Sequence, residues 1–197
     1  LGADMVVSSS TKYLGGHSDI VGGSIVIKEN KEYAEKISFI QNAVGAVPSP
    51  FDCYLLTRSI KTLSVRMKQH NENAIAVSNY LSNHPKIEKV FFPGNDKRHK
   101  EIAEKQMDGF GGMMSFVIDS DINGVKTFLK NLNLFTLAES LGGVESLIEH
   151  PAIMTHASID PSIREKLGIS ETLLRISVGI EDVDDLISDL DQALSKI

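Results

Sequence analysis

The chain has 197 residues, of which 42% are hydrophobic and 23% are charged, a composition typical of globular proteins with a sizeable core. A net charge of −6 gives no indication of a nucleic-acid or anionic membrane partner, and we find no apolar run long enough to cross a bilayer. The single cysteine, Cys53, excludes an intrachain disulfide; we interpret it as a small buried hydrophobe in a reducing compartment, by default the cytoplasm.

The first predicted strand, Met5-Val6-Val7, leads directly into a loop of hydroxyls and glycines that runs from Ser8 to Asp19. Such a run is typical of a buried strand that ends in a loop at its carboxyl end, where open α/β sheets bind their ligands. We expect an interior strand of a parallel sheet. No strand precedes it to pair with, so we interpret the chain as the carboxyl-terminal half of a longer protein.

Lys12, within that loop, allows two interpretations. It is either a solvated lysine among hydroxyls that only hydrogen-bond the turn, or a nucleophilic amine whose neighbouring hydroxyls and backbone N–H groups hold a phosphate. A lysine amine removed from bulk water can be nucleophilic near neutral pH. Composition alone favours the first interpretation.

The elements after the lysine complete one domain and begin another. A strand is predicted at Val21–Ile27 and a helix at Lys31–Asn42. Prolines then start a long helix from Phe51 to about Leu81, and long helices commonly bridge two domains. We therefore divide the chain into a domain of residues 1–60 and a second domain of residues 61–197.

The second domain alternates strands and helices, which predicts a small α/β domain. The predicted strands are Ile87–Phe92, Met113–Ile118, Leu134–Leu137 and Leu174–Val178, and the predicted helices are Lys100–Met107, Gly124–Leu132, Pro161–Leu167 and Asp182–Leu194.

Asp119 to Gly124 matches the first half of a calcium-binding loop. The twelfth position of such a loop needs a bidentate glutamate, whereas this chain has Lys130 there. We interpret the segment as a strand-to-helix turn and expect no metal.

Two stretches of the second domain place polar residues either at the end of a predicted strand or inside one. Glu139 and Ser140 precede paired glycines, an arrangement that is also typical of a plain glycine turn with a capping serine. Arg175 lies inside an apolar strand, and its charge needs an anionic partner. That partner is either a protein carboxylate or the carboxylate of a ligand, held by two parallel hydrogen bonds.

Together these stretches resemble the pyridoxal-phosphate (PLP) dependent enzymes of cysteine and methionine metabolism, and the resemblance runs essentially from end to end. It implies an α/β fold, the carboxyl-terminal part of a fold-type I PLP-dependent transferase, with the end of the large PLP-binding domain followed by a small domain. The segments that carry the resemblance are Ser9–Tyr13, Gly16–Asp19, Gly45–Tyr54, Glu139–Leu147, Pro151–Ser158 and Leu174–Asp182.

The resemblance also implies roles for individual residues. Lys12 would be the Schiff-base lysine that holds PLP, and Ser9 and Thr11 would contact the cofactor phosphate. Arg175 would bind the α-carboxylate of an amino-acid substrate, with help from Ser140. Glu139 would meet the distal amino-acid end of the substrate.

The function implied by the resemblance is a γ-elimination that converts L-cystathionine to cysteine, 2-oxobutanoate and ammonia, with possible release of hydrogen sulfide from cysteine. γ-Synthesis of cystathionine and a non-catalytic assembly module are the alternatives. The resemblance further implies a homotetramer whose active sites are shared between subunits. Other cofactor residues of the family would precede Leu1, so we expect this chain alone to bind PLP poorly.

Overall fold

The computed structural model describes residues 2–95 and 100–197, which have a mixed α/β structure. They form two compact units, divided between Leu63 and Ser64. The assignment of residues 1–60 as the end of a cofactor domain stays a prediction. No helix in the described ranges is both long enough and apolar enough to cross a membrane.

The first unit contains a two-stranded antiparallel sheet and two helices. Strand β1 (Met5–Ser9) pairs with strand β2 (Gly23–Ile27), with Met5 opposite Ile27 and Ser9 opposite Gly23. A helical turn over Ser10–Leu14 follows β1. Helix α1 (Lys31–Val44) and helix α2 (Pro50–Ile60) complete the unit.

Two predictions of burial in this unit are wrong for the chain as it stands. Val7 on β1 is 74% exposed, and the strand belongs to an antiparallel pair instead of a parallel sheet. A pair of strands cannot cover its own two faces, and α1 contributes no buried residue. Cys53 is also exposed, because α2 buries only Ser59 among its residues.

The single long helix predicted after the prolines is in fact two helices, α2 and α3 (Leu63–Ser82). Pro50 occupies the first turn of α2, and the Ser49 hydroxyl caps that helix by accepting from Asp52 N at 3.1 Å. The break lies at Lys61 and Thr62. There the carbonyl of Ser59 accepts from both the backbone N–H and the hydroxyl of Thr62, each at 3.1 Å. These i, i+3 bonds compete with continuation of the helix.

The second unit is built on a five-stranded sheet, in which β5 and β6 are parallel and the other neighbours are antiparallel. Its strands, in spatial order, are β3 (Ile87–Phe91), β4 (Met113–Ile118), β7 (Leu173–Ser177), β6 (Leu147–Glu149) and β5 (Thr136–Leu137). The remaining helices are α4 (Lys100–Gln106), α5 (Ile122–Asn131), α6 (Pro161–Lys166) and α7 (Val183–Leu194). Strand β6 was not predicted from the sequence.

Alternation along the strands determines which face meets the helices. Phe116 on β4 and Leu174 on β7 are fully buried, together with Phe128 of α5 and Leu186 of α7. Burial of each such side chain stabilises the fold by about 1.5–3 kcal/mol. Because successive residues of a strand point to opposite faces, Arg175 lies on the face away from this core.

The resemblance of Asp119–Gly124 to a calcium loop is explained by helix capping. The Asp121 carboxylate accepts from the backbone N–H groups of Asn123 and Gly124 at 3.0 and 2.9 Å and so begins α5. The predicted strand-to-helix turn is confirmed.

Asp189 of α7 is hydrogen-bonded to residues 133–135, the segment that follows α5. Its buried carboxylate accepts from the backbone N–H groups of Asn133 and Leu134, each at 2.8 Å, and of Phe135 at 3.1 Å. Burial raises the pKa of this carboxyl, but the backbone hydrogen bonds outweigh burial and hold the pKa below its ordinary value of 3.8.

We expect Asp189→Asn to lower the free energy of unfolding by about 1–3 kcal/mol at pH 7, because the amide cannot accept all three hydrogen bonds. A carboxyl whose pKa is depressed in the native state stabilises that state above its unfolded pKa, and the benefit is lost as the pH falls through the native pKa. The difference between variant and wild type, measured by urea unfolding, should therefore shrink below about pH 4. Asp185→Asn, on the exposed face of the same helix, is the control; an equal loss in both variants would contradict the prediction.

Candidate active site

The predicted cofactor lysine lies in the helical turn Ser10–Leu14, which we call the lysine turn. Lys12 is half-buried, and its backbone departs from helical geometry with φ −91° and ψ −133°. The turn is closed by hydrogen bonds from Gly15 N to Ser10 O at 2.8 Å and from Gly16 N to Lys12 O at 2.7 Å. The side chain of Lys12 therefore projects from a backbone that is fixed on both sides.

Thr11 ties the lysine turn to the start of β2. Its hydroxyl accepts from Gly22 N at 3.0 Å and lies 3.3 Å from Gly22 O, to which it donates, while Ser10 N donates to the same carbonyl at 2.9 Å. A Cβ on Gly22 would lie 2.7 Å from the Ser10 hydroxyl, so a larger residue there would require the Ser10 side chain to shift. This gives Thr11 a structural task; its contact with a cofactor phosphate stays a prediction.

Replacing Thr11 with valine should therefore destabilise the protein even when no cofactor is bound. The Gly22 N–H would lose its acceptor, at a cost of about 1–3 kcal/mol in the free energy of unfolding. Thr11→Ser keeps the hydroxyl and should lose much less. Urea unfolding of the cofactor-free protein measures both variants. Equal stability of Thr11→Val and wild type would mean that the hydroxyl acts only on a ligand.

The chemistry of the lysine turn fits PLP. Ser9 is exposed directly before the turn, and its side chain does not cap the helical residues that follow. An amine on Lys12 suits the cofactor aldehyde, and short hydroxyl side chains suit its phosphate. A cavity of about 340 Å³ in the same unit is lined by Ser10 and Gly22, beside the turn, and not by Ser9, Thr11 or Lys12.

The structure identifies the anionic partner of Arg175 as a protein carboxylate. Arg175 on β7 and Glu149 on β6 face each other in the antiparallel ladder, and Arg175 Nη2 forms an ion pair with Glu149 Oε2. The Glu149 side chain is only 1% exposed, whereas that of Arg175 is 25% exposed. A buried carboxylate needs such a partner, and the guanidinium still reaches the surface.

Arg175 also holds the loop from Glu139 to Gly142, which we call the 139–142 loop. Its Nη2 donates to Glu139 O at 2.7 Å. At the other end of the loop, Gly142 N donates to the hydroxyl of buried Ser177 at 2.8 Å. Gly142 has φ +75°, a conformation that favours glycine. Two residues of β7 thus fix both ends of the loop.

The predicted substrate residues therefore lie together in the second unit. Arg175 contacts the main chain of Glu139, Ser140 is half-buried in the fixed loop, and the Glu139 side chain is exposed. The predicted cofactor residues lie together in the first unit. Sequence reasoning missed Glu149, although a charge after Leu147-Ile148 is the same signal that drew attention to Arg175.

Comparison with known proteins gave matches over nearly the whole chain. Residues 1–195 match the family described as Cys/Met metabolism PLP-dependent enzyme. Cystathionine gamma-lyase of Dictyostelium discoideum is 54% identical over 198 residues, which cover 100% of this chain and 51% of that protein. Cystathionine beta-lyase of Coxiella burnetii is 53% identical over 196 residues, which cover 98% and 50% of the two chains.

A solved structure gives a third match. Cystathionine gamma synthase of Xanthomonas oryzae pv. oryzae, in complex with aminoacrylate and cysteine, aligns with a TM-score of 0.93 and 45% identity, over 99% of this chain and 50% of that one. The chain thus spans about half the length of the relatives it matches. Their three reaction names show that similarity alone does not select one reaction.

Proposed function

Because this chain belongs to the PLP-dependent enzymes of cysteine and methionine metabolism, we propose that the complete protein cleaves L-cystathionine by γ-elimination, yielding cysteine, 2-oxobutanoate and ammonia. The family, the cofactor and the α/β fold class expected from the sequence are confirmed by the comparisons. The choice of reaction within the family is the proposal.

The observation that supports a cystathionine substrate and γ-side chemistry is the acidic side chain of Glu139 on a loop held by Arg175. Its carboxylate is exposed while its carbonyl is bound to the guanidinium. Cystathionine carries an amino-acid group at each end, so it needs a cationic group for one carboxylate and an anionic group for the distant ammonium. Arg175 and Glu139 offer that pair of charges.

PLP, when bound, supplies an electron sink that stabilises negative charge on the substrate carbons. We assign to Lys12 the covalent attachment of the cofactor and then the movement of protons at the substrate Cα and Cβ. Ser9 and Thr11 would hold the phosphate. Arg175, helped by Ser140, would fix the α-carboxylate so that the Cα–H bond is oriented for removal of its proton by Lys12.

Two other reactions have specific support. A γ-synthase would join cysteine to an activated homoserine, and the match to the Xanthomonas enzyme favours this alternative. A β-lyase would release pyruvate, and the similarity to the Coxiella enzyme favours that one. We prefer γ-cleavage to β-cleavage because, by family resemblance, β-lyases of bacteria have an aromatic residue where this chain has Glu139. The γ-synthases share the glutamate, so only kinetics with both substrates separates cleavage from synthesis.

The keto acid released from L-cystathionine by the complete protein decides among the reactions. 2-Oxobutanoate supports the proposal, provided that the rate exceeds that of synthesis from cysteine and an activated homoserine. Pyruvate would show β-cleavage and overturn the role of Glu139. No keto acid and no visible absorption from bound cofactor would indicate a non-catalytic assembly module.

Assembly and location belong to the same proposal. We expect a homotetramer in the cytoplasm, with active sites completed by neighbouring subunits, as the family resemblance implies. Sedimentation of the complete protein tests the oligomeric state.

A further inference from the structure

The guanidinium of Arg175 contacts Glu149 and the Glu139 carbonyl in the second unit. Such contacts can hold it in position before a carboxylate binds. Arginine has a long, flexible side chain, and holding it in one geometry costs conformational entropy when a ligand binds. A binding site that fixes the arginine beforehand avoids this cost.

Glu149 is placed to do this. It lies opposite Arg175 in the β6–β7 ladder, so the two side chains point to the same face of the sheet. Its carboxylate is buried, since only 1% of the side chain is exposed. The ion pair to Arg175 Nη2 and the bond from Nη2 to Glu139 O together occupy one end of the guanidinium.

A second contact fixes Glu149 itself. The hydroxyl of Thr155 donates to Glu149 Oε1, the oxygen that does not face Arg175. The Thr155 oxygen in turn lies 2.8 Å from His156 Nδ1. A chain of contacts therefore runs from an exposed threonine, through a buried carboxylate, to a guanidinium that is partly exposed.

The other N–H groups of Arg175 are available for a ligand. Within residues 2–95 and 100–197, Nη1 and Nε of Arg175 make no other hydrogen bond or ion pair. These N–H groups remain for a ligand carboxylate, while Nη2 is held by the protein.

We propose that Glu149, held by Thr155, is a positioning residue that fixes the Arg175 guanidinium for binding of the substrate α-carboxylate. The inference rests on the role given to Arg175 in the proposed function. It states that the charge of Glu149, paired with Nη2, holds the guanidinium in place, so a variant that lacks this charge should bind the carboxylate less selectively.

The test compares two ligands that differ only in a carboxylate, L-alanine and ethylamine, titrated calorimetrically into the complete, PLP-loaded protein. Neither ligand carries a leaving group. Their ratio of dissociation constants reports recognition of the carboxylate separately from recognition of the amine. Arg175→Ala should abolish the preference for L-alanine.

Glu149→Met removes the charge and roughly keeps the volume, so we expect it to lower the preference for L-alanine by about tenfold or more. Binding of ethylamine should stay within about twofold, as its amine is not a ligand of Arg175. Glu149→Gln keeps the shape of the side chain but removes its charge, so it should lower the preference as well. Thr155→Val and Thr155→Ser are a second pair of variants with a smaller expected effect. The preference for L-alanine should fall only in Thr155→Val, and this pair tests the inference if Glu149→Met does not fold.

Three results would overturn the inference. In the first, the preference survives in both Glu149→Met and Thr155→Val. In the second, each variant weakens L-alanine and ethylamine equally, which would indicate a structural role. In the third, Glu149→Gln keeps the full preference, which would mean that the charge of Glu149 does not hold Arg175.

The same titrations separate this inference from the proposed reaction. If Arg175→Ala keeps the preference for L-alanine, Arg175 does not bind the carboxylate and the inference fails with that role. If the preference depends on Arg175 and Glu149 but L-cystathionine gives no 2-oxobutanoate, the inference holds and only the proposed reaction fails.

Discussion

Replacing Lys12 with arginine is expected to abolish keto-acid release from L-cystathionine, with kcat reduced by roughly 10³-fold or more. Arginine keeps the positive charge and much of the length of lysine, but its guanidinium does not lose a proton in proteins. It can therefore neither form a covalent bond to the cofactor aldehyde nor accept the proton from the substrate Cα. The loss of kcat should exceed that caused by any change at Arg175, which leaves the reacting amine in place.

Turnover and the visible absorption of the complete protein measure this effect together. Lys28→Arg, at an exposed position just after β2, makes the same chemical change away from the lysine turn and should alter neither quantity. Thermal unfolding of both variants shows whether the fold is retained. Lys12→Arg protein that still absorbs like wild type and turns over at a comparable rate would make Lys12 the solvated loop lysine of the other interpretation.

Replacing Arg175 with lysine should raise KM for L-cystathionine by roughly 10- to 100-fold and change kcat much less. Lysine offers a single ammonium, which cannot at once satisfy Glu149, the Glu139 carbonyl and a ligand carboxylate. Its charge still pairs with Glu149, so the variant avoids an unpaired buried carboxylate, whose cost would be about 3–5 kcal/mol.

Steady-state kinetics with L-cystathionine and the absorption of the bound cofactor test this prediction. The cofactor absorption should persist, because Lys12 and its turn are unchanged. Arg58→Lys, on an exposed part of α2, is the matched control and should keep the wild-type KM. An unchanged KM in Arg175→Lys would mean that Arg175 serves only to hold Glu149 and the 139–142 loop.

Local patterns were sufficient to predict most helices and strands of the second unit. Helix α7 has Asp182 as its N-cap and Leu186, Leu190 and Leu194 on one buried face, so its start and its orientation are both visible in the sequence. Strand β4 was predicted with the bounds that the structure gives. Strand β6 was not predicted because its three residues are too few for a periodic pattern.

Contacts between distant residues could not be read from local patterns. The charge of Arg175 in an apolar strand predicts an anionic partner. The partner, Glu149, lies beside it only because of the register of β6 against β7. The same holds for Thr11, whose hydroxyl meets the backbone of Gly22 across the β1–β2 connection. Residue type predicted that partners exist, and the fold determined which ones they are.

Burial was predicted poorly in the first unit, because burial depends on what packs against a residue. Val7 and Cys53 have side chains that favour an interior, and both are exposed in this chain. Apolar character is a property of the residue, whereas exposure is a property of the assembly that surrounds it.

Both hydrogen bonds that fix the 139–142 loop are made to its main chain. Arg175 binds the carbonyl of Glu139 and Ser177 binds the amide of Gly142, so neither contact depends on the side chain at position 139. That side chain can therefore be exchanged without releasing the loop or weakening the sheet beneath it. If Glu139 meets the substrate as we propose, an exchange at this position would cost little stability, and the reaction could change while the fold stays constant.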